Sequence, residues 1–225
     1  MGRLFGTDGV RGIANKDLSC ELALEIGRAA AFVLANGNRR RPVFIVGSDT
    51  RISSDMLCSA ITAGLCSVGA DVIALGVVPT PAVAYLVGKY KADAGIMVSA
   101  SHNPAEYNGI KIFSGDGYKL PDALEEQIEA IVLDHTSVSG LQPGDGVGKV
   151  TRCQTAVKDY VDHLKSTVAY SLDGLHIAVD CANGSASETA EKLFRELGAD
   201  CRFLNREPDG LNINKECGST HIDKL

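Results

Sequence analysis

The stretch VFIVGSDTRISSDMLCSAITAGLCSVGADVIAL, residues 43–75, decides the architecture. Its first five residues, 43–47, are a short apolar run of strand character. Ser53 or Ser54 can then cap a helix whose apolar face is Leu57, Ala60, Ile61, Gly64, Leu65 and Val68. Gly69 ends that helix, and Asp71 to Leu75 return to strand character. Two strands joined across a helix predict a βαβ unit.

Upstream, Leu18, Leu22, Ile26, Ala30, Val33 and Leu34 recur at helical spacing and predict a helix over residues 19–36, stopped by Asn36-Gly37. Downstream, Pro81 suits the first turn of a third helix running toward Lys89, and a strand follows over Ala94 to Val98. Residues 110–114, IKIFS, alternate, and SGDG (114–117) turns into YKL (118–120), which predicts a hairpin and therefore a mixed sheet. A helix from Pro121 to Leu133 closes this part. The polar, glycine-rich HTSVSGLQPGDGVG (135–148) reads as a connector.

The expected organisation is α/β, with a mixed sheet between helices over residues 1–145 and a second, incomplete domain of the same kind over 146–225. Within the second, a helix over 154–169 precedes HIAVD (176–180) and Gly198-Ala199-Asp200, which echo FIVGSD (44–49) and Gly69-Ala70-Asp71 across one helix each. About 75 residues follow the connector, fewer than the first unit uses, which predicts a chain cut part-way through a domain.

Composition narrows the classes. The 225 residues are 45% hydrophobic and 22% charged, the proportions of an ordinary globular protein rather than a collagen, a coiled coil or a disordered chain. The most apolar region, Val72 to Val87, is interrupted by Pro79, Thr80 and Pro81, so it does not read as a bilayer span. A net charge of -6 gives no general attraction to nucleic acid. The N-terminus lacks the apolar core of a signal peptide, so a cytoplasmic protein is expected, without membrane or nucleic-acid partners. Seven cysteines, none in a CxxC pair, read as reduced core thiols.

Three places offer chemistry. Ser99-Ala100-Ser101-His102-Asn103-Pro104 directly follows a strand, where α/β active sites lie. It combines a phosphorylatable hydroxyl, an imidazole and an amide, although a purely structural turn uses Asn-Pro and serine in the same way. Lys111, ten residues after Ser101, stands on the next strand within reach of that hydroxyl, or else on a solvated face. FGTDGVRG (5–12) surrounds Thr7, Asp8 and Arg11 with glycines, which suits a loop that approaches phosphate, or equally a loose terminus. GDGVGK (144–149) lacks the Ser/Thr and the preceding strand of a P-loop. His135, His163, His176 and His221 lack metal-ligand spacing.

Taken together, FGTDGVRG (5–12), SDTR (48–51), VPTPA (78–82), SASHNPxxYNGIK (99–111) and DGLNINxxCGSTH (209–221) resemble the α-D-phosphohexomutases, and within them the bacterial phosphoglucosamine mutases. The resemblance implies interconversion of glucosamine 6-phosphate and glucosamine 1-phosphate, toward cell-wall precursors, through a bound glucosamine 1,6-bisphosphate. It implies a phosphoserine at Ser101, with Mg²⁺ bridging its phosphate. His102 and Arg11 join Ser101 and Lys111 as catalytic candidates, and Thr7, Asn103, Arg11 and Lys111 become phosphate-binding candidates. A phosphorylated amino sugar is the implied partner, along with a homodimer through the first domain. Phosphomannomutase/phosphoglucomutase relatives are the alternative, or a noncatalytic dimerisation module.

The chain also departs from the family's pattern. No two aspartates stand at Asp-x-Asp spacing, so the family's aspartate metal loop is missing, as are its sugar-recognition and distal-phosphate loops. These residues are expected to carry the nucleophile without the metal cage.

Overall fold

The computed structural model describes residues 3–34, 41–134 and 140–225. In chain order the elements are β1 (Val10–Ile13), α1 (Cys20–Leu34), β2 (Val43–Ser48), α2 (Ser54–Ser67), β3 (Asp71–Val77), α3 (Thr80–Lys89), β4 (Ala94–Val98), β5 (Tyr107–Ser114), α4 (Asp122–Leu133), β6 (Val150–Arg152), α5 (Ala156–Ser166), β7 (His176–Asp180), α6 (Ser187–Glu196) and β8 (Asp200–Leu204). Short 3-10 turns add to the connector and the C-terminus.

The 43–75 stretch folds as the predicted βαβ unit, with β2 parallel to β3. Six strands form a sheet in the order β1-β5-β4-β2-β3-β6, in which β4 and β6 run parallel to their neighbours β2 and β3. β5 runs antiparallel to both β4 and β1, so the sheet is mixed, as expected. Alternation explains the continuous apolar run of β2. Phe44 and Val46 face the cluster holding Ile26, Leu57, Ile61 and Ile128, from α1, α2 and α4. Ile45 faces the cluster holding Val83, Leu86 and Tyr160, from α3 and α5. A strand covered on both faces has no polar side to show. Helices α1 and α2 approach through two glycines: a Cβ on Gly64 would sit 2.2 Å from the Leu24 carbonyl oxygen, and one on Gly27 2.5 Å from that of Ile61.

Several details differ from expectation. FGTDGVRG is not all loop, because its second half becomes β1 at the sheet edge. Four residues including a glycine carry too little alternation to show in sequence. The expected hairpin into YKL forms but stays short, with one antiparallel bridge, Phe113 with Lys119, flanked by backbone bonds from Ser114 to Tyr118 at 2.9 Å and from Leu120 to Ile112 at 3.1 Å. A longer antiparallel return, not foreseen, joins β4 to β5 through the 99–106 loop. Neither serine caps α2. Ser53 takes helical angles, and its hydroxyl accepts a bond from Asn108 Nδ2 at 2.9 Å, while Ser54 donates to Asp49 at 3.1 Å. The predicted stop at Asn36-Gly37 lies outside the described residues, as does His135.

β6 and α5 follow residue 145 yet join the first unit: β6 extends its sheet, and Ala156 and Tyr160 of α5 bury against α3. The second unit is a two-stranded parallel sheet, β7 with β8, joined by α6. It touches the first unit through α6 packed on α5, where Lys165 Nζ donates to Glu196 at 2.6 Å, and through loops. Thr50 Oγ1 donates to the Asn183 carbonyl at 2.6 Å, and the Ile52 amide to that of Gly210 at 2.9 Å. None of the seven cysteines is joined in a disulfide, and Cys66, Cys181 and Cys217 are buried. No described helix is long and apolar enough to cross a membrane.

Candidate functional site

Because β2 and β4 are parallel neighbours, their carboxyl ends release Asp49–Arg51 and the 99–106 loop side by side. Loops at such strand ends are where α/β folds place ligands. Arg51 fills the space between them with its side chain wholly buried. Its Nε donates to Asp49 Oδ2 at 3.0 Å. Its Nη2 donates to the carbonyls of Ser101 at 3.0 Å and Asn103 at 2.8 Å, and its Nη1 to that of Pro104. A buried guanidinium is stable only when paired and satisfied in this way. Asp49 Oδ1 is in turn held by the Arg51 amide at 3.1 Å and by Ser54, and Asn108 braces both Ser53 and Ser54 from β5.

Ser101 stands exposed at the head of this loop with φ +57°, in the left-handed region. For a residue with a Cβ that conformation costs about 1 kcal/mol and persists only when its surroundings impose it. Ser99 Oγ accepts the Ser101 amide at 3.1 Å, and the Ser101 carbonyl accepts from both Arg51 and Asn214, the latter at 2.9 Å. The Ser101 hydroxyl bonds to no other described residue. His102 is exposed and likewise has no partner among the described residues. Asn103 contributes through its backbone: its amide closes a turn onto Ala100 at 3.2 Å, and its carbonyl is held by Arg51 and Asn214.

Arg11 and Lys111 meet on the adjoining strands. Arg11 of β1 pairs with Gly109 of β5, and residues 109 and 111 share one face of that strand. A Cβ on Gly109 would lie 2.8 Å from the Ser99 carbonyl oxygen and 3.1 Å from Arg11 Cγ, so the missing side chain lets Arg11 lie across the strand toward the serine loop. Arg11 Nη2 pairs with Asp8 at 3.1 Å, while its Nε is buried without a hydrogen-bond partner. Burial pushes the Lys111 amine below its ordinary pKa, the charge of Arg11 adds to this, and Asp8 opposes it. Thr7 lines a cleft of about 240 Å³ with Lys111 and Thr80, and an adjoining one of about 380 Å³ with Arg11.

The loop bearing Thr7 is set by reciprocal Gly6–Gly9 backbone bonds of 3.0 and 3.2 Å. Further back, the buried Glu129 carboxylate accepts the amides of Arg3, Leu4 and Phe5 at 2.9, 2.7 and 2.5 Å. Burial acts to raise its pKa, but those three donors outweigh it and hold the carboxyl below its usual range. Two adjacent cations, one with an unsatisfied N–H, suit a phosphate.

A metal is a different matter. Among the described residues no group of three or more His, Cys, Asp or Glu is placed to hold an ion. Asp49, the carboxylate bonded beside the loop, is taken by Arg51 and Ser54. Mg²⁺ wants near-octahedral oxygen coordination, so the residues present do not fit it.

Sequence reading alone missed the roles of Arg51, Asp49, Asn108 and Asn214. Their signal lay within SDTR (48–51) and DGLNIN (209–214), two motifs to which no function attached, and, for Asn108, within the YNG (107–109) that follows the serine loop.

The profile described as "Phosphoglucomutase/phosphomannomutase, alpha/beta/alpha domain I" matches residues 2–139. Proteins named phosphoglucosamine mutase from Acetivibrio thermocellus and Alkaliphilus oremlandii are 55% and 57% identical over all 225 residues. This chain spans 50% of the length of each. Among solved structures, a phosphoglucomutase/phosphomannomutase family protein from Burkholderia thailandensis superposes with a TM-score of 0.76 at 28% identity, over 92% of this chain and 44% of that one.

Proposed function

The chain belongs to the phosphoglucomutase/phosphomannomutase family, and from that premise we propose that it carries the phosphoserine half of a phosphoglucosamine mutase. One observation carries the reading: a serine hydroxyl without a partner among the described residues, on a left-handed, clamped loop, with two neighbouring cations, Arg11 and Lys111, on the adjoining strands. The high identity to phosphoglucosamine mutases over the whole chain supports the glucosamine branch.

In this reading the phosphoryl group rests on Ser101. It passes to a hydroxyl of a glucosamine phosphate: the serine O–P bond breaks as the sugar O–P bond forms, and the bound 1,6-bisphosphate results. The proton released by the sugar hydroxyl passes to Lys111, whose lowered pKa suits a proton carrier, and ends on the serine oxygen. Arg11 and Lys111 balance the charge spread over the transferring oxygens. Thr7 and Asn103 border the phosphate, and His102 shapes the loop. The return of the other phosphoryl group to Ser101 completes the isomerisation. The metal that the family resemblance implies draws its ligands from outside these residues. The reading includes a cytoplasmic setting and a homodimer through the first unit.

Mass spectrometry after incubation with glucosamine 1,6-bisphosphate should find phosphate on Ser101, and Ser101→Ala should remove it without unfolding the chain. In the complete protein Ser101→Ala should lose turnover of glucosamine 6-phosphate. The 225 residues alone should give none, because they lack a metal cage. Undiminished turnover by Ser101→Ala would end the proposal.

A further inference from the structure

We infer that Asn214, a residue of the second unit, is a positioning residue that holds the Ser101 loop in its left-handed conformation. The inference rests on the phosphoserine reading for its consequence, but the contact stands on geometry alone. Asn214 Nδ2 donates to the Ser101 carbonyl at 2.9 Å and to the Asn103 carbonyl at 3.1 Å. These are the same two oxygens that Arg51 Nη2 holds from the first unit. One loop is therefore gripped from both sides, by a buried cation beneath and by an amide from another unit.

The geometry of Asn214 itself fits the task. Its φ is +58°, a region asparagine adopts more readily than most residues with a Cβ. Its amide donates to the Ala182 carbonyl at 2.9 Å, and the neighbouring Ile213 is buried, so the backbone that presents the side chain is anchored in its own unit. Two further bridges, from Thr50 to Asn183 and from Ile52 to Gly210, fix the neighbouring loop after β2 against the same unit. Any movement of the second unit away from the first must release the Asn214 bonds. The conformation of Ser101 is thereby coupled to the seating of the second unit.

The test uses Asn214→Gly, which tolerates φ +58° and removes only the side chain, and Asn214→Asp, which keeps the side-chain shape but loses the donors. Hydrogen exchange is read at the amides of Ser101, Asn103 and Tyr107, whose bonds lie within the loop. In the 225-residue chain both variants should speed exchange there by about 10-fold, the scale expected for losing two hydrogen bonds, with the rest of the first unit unchanged. In the complete protein, kcat for glucosamine 6-phosphate should fall by ~10 to 100-fold with KM within about 2-fold, because the group displaced is the phosphoryl carrier. Aspartate should be the more severe, since its charge repels both carbonyls and a phosphate on Ser101. Unchanged exchange overturns the inference whatever turnover does. Faster exchange with full turnover overturns the positioning role. Faster exchange together with a wild-type protein that turns over no hexose phosphate sinks the mutase reading and leaves the clamp standing.

Discussion

In Lys111 the proposed function and stability pull apart within one residue. Its amine is half-buried beside Arg11, and both the burial and the neighbouring charge disfavour the protonated form in the folded chain. A base with a lowered folded pKa destabilises the protein at every pH where it remains charged. That cost is relieved as pH rises through the folded value toward the unfolded one. Lys111→Met keeps the aliphatic stem and removes the charge. It should raise the melting temperature at pH 7 by about 2 °C, a shift read by calorimetry, while lowering turnover of the complete protein by ~100-fold. The gain should shrink as pH rises toward the ordinary lysine range, where the folded amine has already lost its charge; a loss of stability at pH 7 would contradict it. Such a trade is expected where a site concentrates like charges for a ligand. Residue types showed Ser101, Lys111 and Arg11 as candidates in sequence. That Arg11 and Lys111 share a face could not be seen there, because it depends on β1 joining β5.

At the level of elements, α5 is fastened to α3 by a polar knot around Asp159. Tyr90, just past α3, donates its hydroxyl to Asp159 Oδ2 at 2.7 Å, Thr155 does so at 2.7 Å, and Lys89 Nζ lies 2.9 Å from Oδ1. The Tyr90 bond leads in holding the carboxyl at about 2. A depressed folded pKa means that the contribution is fully present above the ordinary aspartate range and disappears as pH falls from about 4 toward 2. Asp159→Asn should cost about 1 to 2 kcal/mol at pH 7, with the part-exposed lysine adding little. In urea titrations the gap between variant and wild type should close between pH 4 and pH 2, and a gap independent of pH would refute this account. The helices themselves were legible from their periodicity. The knot was not, since its partners lie 69 residues apart in sequence.

For the molecule as a whole, burial is uneven. Strands β2 and β4 are covered on both faces, whereas β7 and β8 alternate between exposed and half-buried positions. With α5 bound to the first unit, the segment that follows it carries Tyr170 at 84% exposure and Leu175 at 51%. Chymotrypsin should therefore cut at Tyr170 before any site between residues 43 and 134, as mass spectrometry of early fragments would show. First cleavage inside the six-stranded unit would count against this stability order. The amino-acid order settled the βαβ unit, the main helices and the serine loop, because alternation, helical spacing and turn residues act within a few positions of one another. It also carried the family resemblance, in motifs that needed no coordinates. The edge strands β1 and β6, the burial of Arg51, the meeting of Arg11 with Lys111 and the reach of Asn214 came from the folded chain. Each depends on partners far apart in sequence, 50 residues for Arg51 and Ser101 and 113 for Asn214 and Ser101, and a hydrogen bond across that distance leaves no local periodicity to read.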